Sequence, residues 1–171
     1  MKKDADIFGR MLMAHHRGQD GSHFIERRDG VLDAIPAGAY FGTDWSGGEK
    51  QAMSLVRGRV LDVGCGAGRH ALKLQKQGLK GTGIDVSPLA IRVCRERGVK
   101  DARLLGIDHL NRLPKSSYDS IIMFGNNFGL METLRRARRI LRMMHRITTP
   151  HARILAGSLD VYKTKNPDHL A

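Results

Sequence analysis

Residues 60–68 read Val-Leu-Asp-Val-Gly-Cys-Gly-Ala-Gly and run through Arg69-His70 into a string of helix formers. A short apolar run, Val60-Leu61 with Val63, ends in glycines at alternate positions 64, 66 and 68. This pattern predicts a strand, a tight turn and a helix N-terminus. Glycine accepts positive φ and lets a ligand approach the backbone with no Cβ in the way. The helix start behind it offers unpaired N–H donors. A small polar ligand is expected over this turn.

Two common ligands of such turns are disfavoured. A dinucleotide fingerprint, G-x-G-x-x-G, needs glycine at position 69, which is Arg69 and argues against an oxidoreductase. A phosphate-cradling loop needs Gly-Lys-Ser/Thr, and that is missing. What stands instead is Asp62 two residues ahead of Gly64, with a second acid, Asp85, closing the next apolar stretch, Gly81-Thr-Gly-Ile-Asp85. The glycine triplet and the two acids together resemble motif I and the following acidic residue of class I S-adenosylmethionine-dependent methyltransferases.

Outward from this point strands and helices alternate. Strands are expected at about 59–63, 80–85, 101–105, 118–124 and 152–159, and helices at about 68–77, 87–97 and 130–146. Gly78 suits a helix end, Ser87 a helix cap and Pro88 a first turn. The run after Asp119 is continuously apolar, as in a strand buried on both faces. Alternation of this kind predicts an α/β fold with a doubly wound, mainly parallel sheet. Right-handed crossovers place a switch point between the first and fourth strands, where Gly64–Gly68 and Phe124–Asn127 meet. Upstream, Ile7, Phe8, Met11, Leu12 and His15 recur at helical spacing within residues 4–17. Residues 31–45, rich in glycine and aromatics, read as a loop packed across something, and Ser46–Val56 as a helix. Two parts follow: a lid at 1–45, and a cofactor-binding domain at 46–171. In the last expected helix, Arg135, Arg139, Arg142 and Arg146 fall on one face and Leu134, Ala137, Leu141 and Met144 on the other. That helix is expected on a flank, away from the strand C-termini.

The resemblance covers about residues 46–160 and implies a Rossmann-like sheet of order 3-2-1-4-5 under a helical lid, with S-adenosylmethionine as cofactor. It implies that Gly64, Gly66 and Gly68 admit the methionine part, with Cys65 between them as a space-filler. Asp62 would organise the loop and help reach the amino group, and Asp85 would accept both ribose hydroxyls. Val86 would pack on adenine, Asp108 and His109 would sit at its amino group, and Leu110 would wall the ring. Gly125 and Asn126, within Phe124-Gly-Asn-Asn-Phe-Gly129, would border the reactive methyl. Such a turn resembles those of small-molecule enzymes. It lacks the Asn/Asp-Pro-Pro-Tyr/Phe turn of base and glutamine methylation and the Pro-Cys pair of cytosine C5 enzymes. Catalysis by alignment needs a base only for a protonated acceptor, and His15, His16, His23 and His109 are the candidates. The family's sheet has seven strands, whereas this sequence ends shortly after the fifth. The last two strands are thus expected to be missing, leaving a fifth-strand edge open to oligomerisation.

Composition sets the remaining bounds. The chain has 171 residues, 41% of them hydrophobic and 27% charged, which reads as soluble and globular. No apolar run is long enough to span a bilayer, and no apolar segment follows the charged start, so a cytoplasmic protein without membrane attachment is expected. Cys65 and Cys94 form no disulfide framework, and the histidines have no metal-ligand spacing. A net charge of +12 leaves RNA open as a partner or substrate beside a small-molecule acceptor. A cofactor-binding but silent subunit is the third alternative.

Overall fold

The computed structural model describes residues 6–19, 22–26, 32–42, 45 and 47–158, with 22–26 and 32–35 described by backbone alone. The elements, in chain order, are α1 (Ile7–His16), β1 (Ser22–Glu26), β2 (Leu32–Pro36), a 3₁₀ turn (Ala37–Tyr40), α2 (Gly47–Ser54), β3 (Val60–Val63), α3 (Arg69–Lys76), β4 (Gly81–Asp85), α4 (Pro88–Glu96) and β5 (Ala102–Leu104). A second 3₁₀ segment (Ile107–Arg112), β6 (Tyr118–Met123), a third (Asn127–Met131), α5 (Leu134–Ile147) and β7 (Thr148–Ala156) complete them. Five strands form one parallel sheet in the order β5-β4-β3-β6-β7, the expected 3-2-1-4-5, and β1 and β2 form a separate antiparallel pair.

Side chains of the central strands alternate between two cores. Leu61, Val63, Ile121 and Met123 pack with Ile140, Met144 and Ile147 of α5 and with Leu110 and Leu113. Val60, Ile122 and Phe124 face the other way, onto Trp45, Met53 and Leu74. Burial on both faces explains why these strands are apolar runs rather than alternating ones.

Several boundaries differ from expectation. Residues 32–40 are a strand and a 3₁₀ turn, not a loop. Their pairing partner, Ser-His-Phe-Ile-Glu, is short and half polar, so it gives little periodic signal. The final strand begins at Thr148, four residues before the expected start, and includes Pro150. Proline is tolerated because β7 is an edge strand and its register with β6 breaks between Tyr118 and Ser120. The last helix starts at Leu134, where Thr133 Oγ1 accepts from Arg136 N at 3.2 Å, after a 3₁₀ turn that occupies 127–131. Its buried stripe is Ile140, Met144 and Ile147 with Ala137 half-buried beside them, while Leu134 and Leu141 are exposed. Residues 4–5, Ser46, the side chain of His23 and the segment beyond 158 lie outside what is described.

Candidate active site

The loop after β3 is drawn tight by its own backbone. Gly64 N and Cys65 N both donate to Ile84 O, at 2.9 and 3.0 Å, and Gly68 N donates to Cys65 O at 2.8 Å. Gly64, Gly66 and Gly68 all have positive φ. At Gly64 a Cβ would come 2.9 Å from Asn127 Cγ, so the glycine makes room for a neighbour as well as for a turn. Asn127 Nδ2 fills that space and donates to Val63 O and Gly64 O, both at 2.9 Å. At Gly66 a Cβ would meet only the Phe8 ring, at 3.8 Å, so this glycine faces a space and not a wall.

That space is a cavity of about 530 Å³, within the range of small-molecule sites. Its floor is Gly64, Cys65, Gly66 and Ala67, and Asp85, Val86 and Asp108 line one end. Phe124, Gly125, Asn127 and Leu130 line the other, joined by Arg69 and His70 from the start of α3. Phe8 of α1 and Ala39 and Tyr40 of the 3₁₀ turn form its roof, their rings meeting edge-to-face with centroids 5.1 Å apart. The roof is fastened: Asp6 Oδ2 accepts from Ser87 Oγ at 2.8 Å and from Leu89 N at 3.2 Å, pinning α1 to the start of α4. Arg69 adds a second clasp, donating to Ala39 O at 3.2 Å and to Glu49 Oε1 at 2.7 Å.

Asp85 sits at the end of β4 with its carboxylate half spent. Oδ2 accepts from Gly66 N at 3.0 Å and Oδ1 from Ser87 N at 2.9 Å. Each oxygen keeps a further acceptor site, the valence that a pair of vicinal hydroxyls requires. Burial pushes its pKa up, opposed by the backbone N–H donors. At the same end Asp108 is gripped by Arg136, at 2.6 Å, and by Arg139 of α5. Arg136 holds its carboxyl below the usual range. The first turn of α5 therefore borders the cavity, contrary to the expectation that this helix lies away from the strand C-termini. The 3₁₀ turn after β6 carries the chain across the switch point before α5 begins at Leu134, so its first turn stands at the cavity and its later turns descend the flank.

Asp62 is buried behind the loop, outside the cavity lining, on the α3 side of the sheet. Its Oδ2 makes no hydrogen bond among the described residues. Burial, and then the charge of Asp85, raise its pKa to about 7, while Arg69 and the Ala71 N–H act in the opposite sense. A carboxyl with a raised folded-state pKa favours the fold below its ordinary value near 4, and that contribution is lost as pH climbs through about 7. Asp62→Asn is therefore expected to gain on the wild type in thermal stability as pH rises from 4 to 7. A constant difference in denaturation temperature across this range would refute it. His70 has the reverse sign. Burial and Arg69 lower its pKa to about 3, so it is neutral near pH 7, wedged between the rings of Trp45 and Phe124.

Of the residues singled out from sequence, Gly64, Cys65, Gly66, Asp85, Val86, Asp108 and Gly125 line the cavity. Gly68 begins α3 with its backbone packed against Cys94 and Val99. Leu110 is fully buried in the core beneath, and His109 and Asn126 lie outside the lining, where Asn127 takes the inward position next to Asn126. Phe8, Arg69, His70 and Arg136 were not anticipated there. Arg69 and His70 directly follow the glycine loop, a signal available in the sequence. Arg136 depends on where α5 begins. Cys65 Sγ and Cys94 Sγ are 3.7 Å apart, both thiols buried, and the Cys94 contact, reinforced by burial, pushes the Cys65 thiol up. No cluster of potential metal ligands occurs among the described residues.

A parallel sheet of this order, with a glycine cradle at the switch point and an acid closing the next strand, is the Rossmann-like fold of S-adenosylmethionine-dependent methyltransferases. The family profile described as a methyltransferase domain matches residues 60–151, and the chain belongs to that family. A methyltransferase structure from Bacteroides fragilis, solved with S-adenosyl-L-homocysteine, is 29% identical with a TM-score of 0.84, covering 99% of this chain and 71% of that one. The ubiquinone biosynthesis O-methyltransferase of Xanthomonas oryzae pv. oryzae is 26% identical over 113 residues, 63% of this chain and 46% of the relative. Its counterpart from Xylella fastidiosa is 38% identical over 74 residues, 40% of this chain and 30% of that protein. The chain thus spans about half the length, or less, of these curated relatives. S-adenosylmethionine is the cofactor of the family, and the cradle fits it: the Gly66 side is open, and Asp85 has acceptor capacity left.

Proposed function

We propose that this protein transfers the methyl group of S-adenosylmethionine to a small-molecule acceptor in the cytoplasm. The observation that carries this reading is the roofed cavity. Phe8, Ala39 and Tyr40 lie over the glycine loop and leave a partly covered space, which we read as shared by cofactor and acceptor. In it the glycine loop would hold the methionine part, Asp85 the ribose and Val86 the adenine, with Asp108 at the rim. Phe124, Gly125 and Asn127 would border the acceptor. The bound cofactor supplies an electrophilic sulfonium methyl, so the residues need mainly to align the acceptor and exclude water. The named O-methyltransferase relatives favour an oxygen acceptor.

The test is incubation with S-adenosylmethionine labelled in its methyl group, offered a panel of small phenols, amines and thiols and, separately, total RNA. Label is expected in a small acceptor. Label in RNA, or in neither, would overturn the reading, the latter in favour of a silent subunit.

A further inference from the structure

Where the chain leaves β5 it passes close to Val86. A Cβ at Gly106 would stand 3.1 Å from Val86 Cγ1, so glycine there keeps this end of the cavity narrow. Val86, Leu105, Gly106, Ile107 and Asp108 line it, and Arg136 joins them from the first turn of α5.

A carboxylate has about four acceptor sites. At Asp108 arginine takes three of them among the described residues. Arg136 Nη2 donates to Oδ2 at 2.6 Å and Arg136 Nε to Oδ1 at 3.3 Å, and Arg139 Nη2 also donates to Oδ1. One site is left, on Oδ2. The two-pronged grip of Arg136 fixes the plane of the carboxylate, which a point charge would leave free to turn.

Arg136 is itself held from two sides. Its backbone N–H donates to Thr133 Oγ1 at 3.2 Å, and Nη1 pairs with Glu132. Glu132 has a φ of 54°, which a residue with a Cβ adopts at a cost. Backbone strain of this kind collects at ligand sites, where the surroundings enforce it. Two carboxylates thus face two guanidinium groups. The cluster balances its own charge, which suits a role in placing Asp108 better than capture of an anionic ligand.

A carboxylate kept ionised by Arg136 can only accept. A 6-amino purine brings it an N–H. A 6-oxo purine brings a second acceptor, and the two repel. We infer that Arg136 is a positioning residue for the cofactor: it holds Asp108 so that the remaining acceptor site selects the 6-amino group of the purine. The inference rests on the proposed placement of adenine beside Val86 and Asp108.

The experiment is calorimetric titration with S-adenosyl-L-homocysteine and with its deaminated analogue, S-inosyl-L-homocysteine. The wild type is expected to prefer the amino ligand by about tenfold or more, the worth of one hydrogen bond to a charged acceptor. In Arg136→Gln the preference should shrink to about threefold or less, mainly through weaker binding of the amino ligand. Arg136→Lys keeps the charge without the fork and should fall between the two. If Arg136→Gln fails to fold, as thermal denaturation would reveal, the ratio in Arg136→Lys decides. An arginine that only supported the fold would weaken both ligands in proportion, and an unchanged ratio would overturn the inference. So would a wild type that binds both ligands alike, although the cofactor reading would then survive. A wild type that binds neither would remove both.

Discussion

Asp85→Ala is expected to bind S-adenosylhomocysteine at least a hundredfold more weakly than the wild type in a calorimetric titration near neutral pH. Hydrogen bonds to a charged acceptor contribute about 1.5–3 kcal/mol each, so losing the two proposed ribose hydroxyl contacts would cost roughly 3–4 kcal/mol after water returns to the site. The substitution does further harm to the cradle. Gly66 N and Ser87 N lose their acceptors on the carboxylate, and the glycine loop loses its tie to β4. Asp85→Asn keeps one acceptor oxygen and the side-chain shape, and should fall between the two. A folded Asp85→Ala protein that bound within threefold of the wild type would remove the ribose contact from the proposed function.

Gly64→Ala is expected to destabilise the protein by about 2–4 kcal/mol, seen as a lower denaturation temperature and weaker cofactor binding together. Positive φ costs a residue with a Cβ about 1–2 kcal/mol. The new methyl also displaces the Asn127 amide, whose two hydrogen bonds to Val63 O and Gly64 O contribute about 1 kcal/mol each. These bonds join β3 to the turn after β6, so the loss falls on both walls of the cavity. Asn127→Ala in the same background should recover part of the deficit, since it removes the clash but neither the backbone strain nor the lost bonds. An alanine variant as stable as the wild type would mean that the turn adjusts without cost.

The sheet was legible because its central strands are buried on both faces, and runs such as Ser120–Phe124 have no other reading once glycines bracket the helices. The cofactor end was legible for a related reason. A left-handed turn and a carboxylate at a strand end leave local marks, so Gly64, Gly66 and Asp85, which line the cavity, could be singled out in advance. What escaped was set at long range. Arg136 reaches the cavity only because α5 starts at Leu134, and its partner Asp108 lies 28 residues earlier. The inward residue of the Asn126-Asn127 pair is decided by positive φ at Asn126, which turns the chain so that Asn127 fills the gap at Gly64. The strand pair Ser22–Glu26 and Leu32–Pro36 lacks the alternation that would reveal it. The arginine face of α5 was visible as a stripe, but the exposure of Leu134 and Leu141 at its margin was not, because helical spacing alone assigned both to the core.

Ser87 stands at a junction. Its backbone N–H serves Asp85, its hydroxyl donates to Asp6, and the same oxygen accepts from Ala90 N to cap α4. The proposed ribose site and the cap of the roof helix α1 are therefore adjacent links in one chain of hydrogen bonds. By thermodynamic linkage, whatever holds Asp85 in place also holds α1 against unravelling, and whatever frays α1 loosens the ligand. The roof and the cradle would then be coupled in free energy: ligand binding would protect α1 against opening to solvent by the same factor by which an opened α1 weakens the ligand.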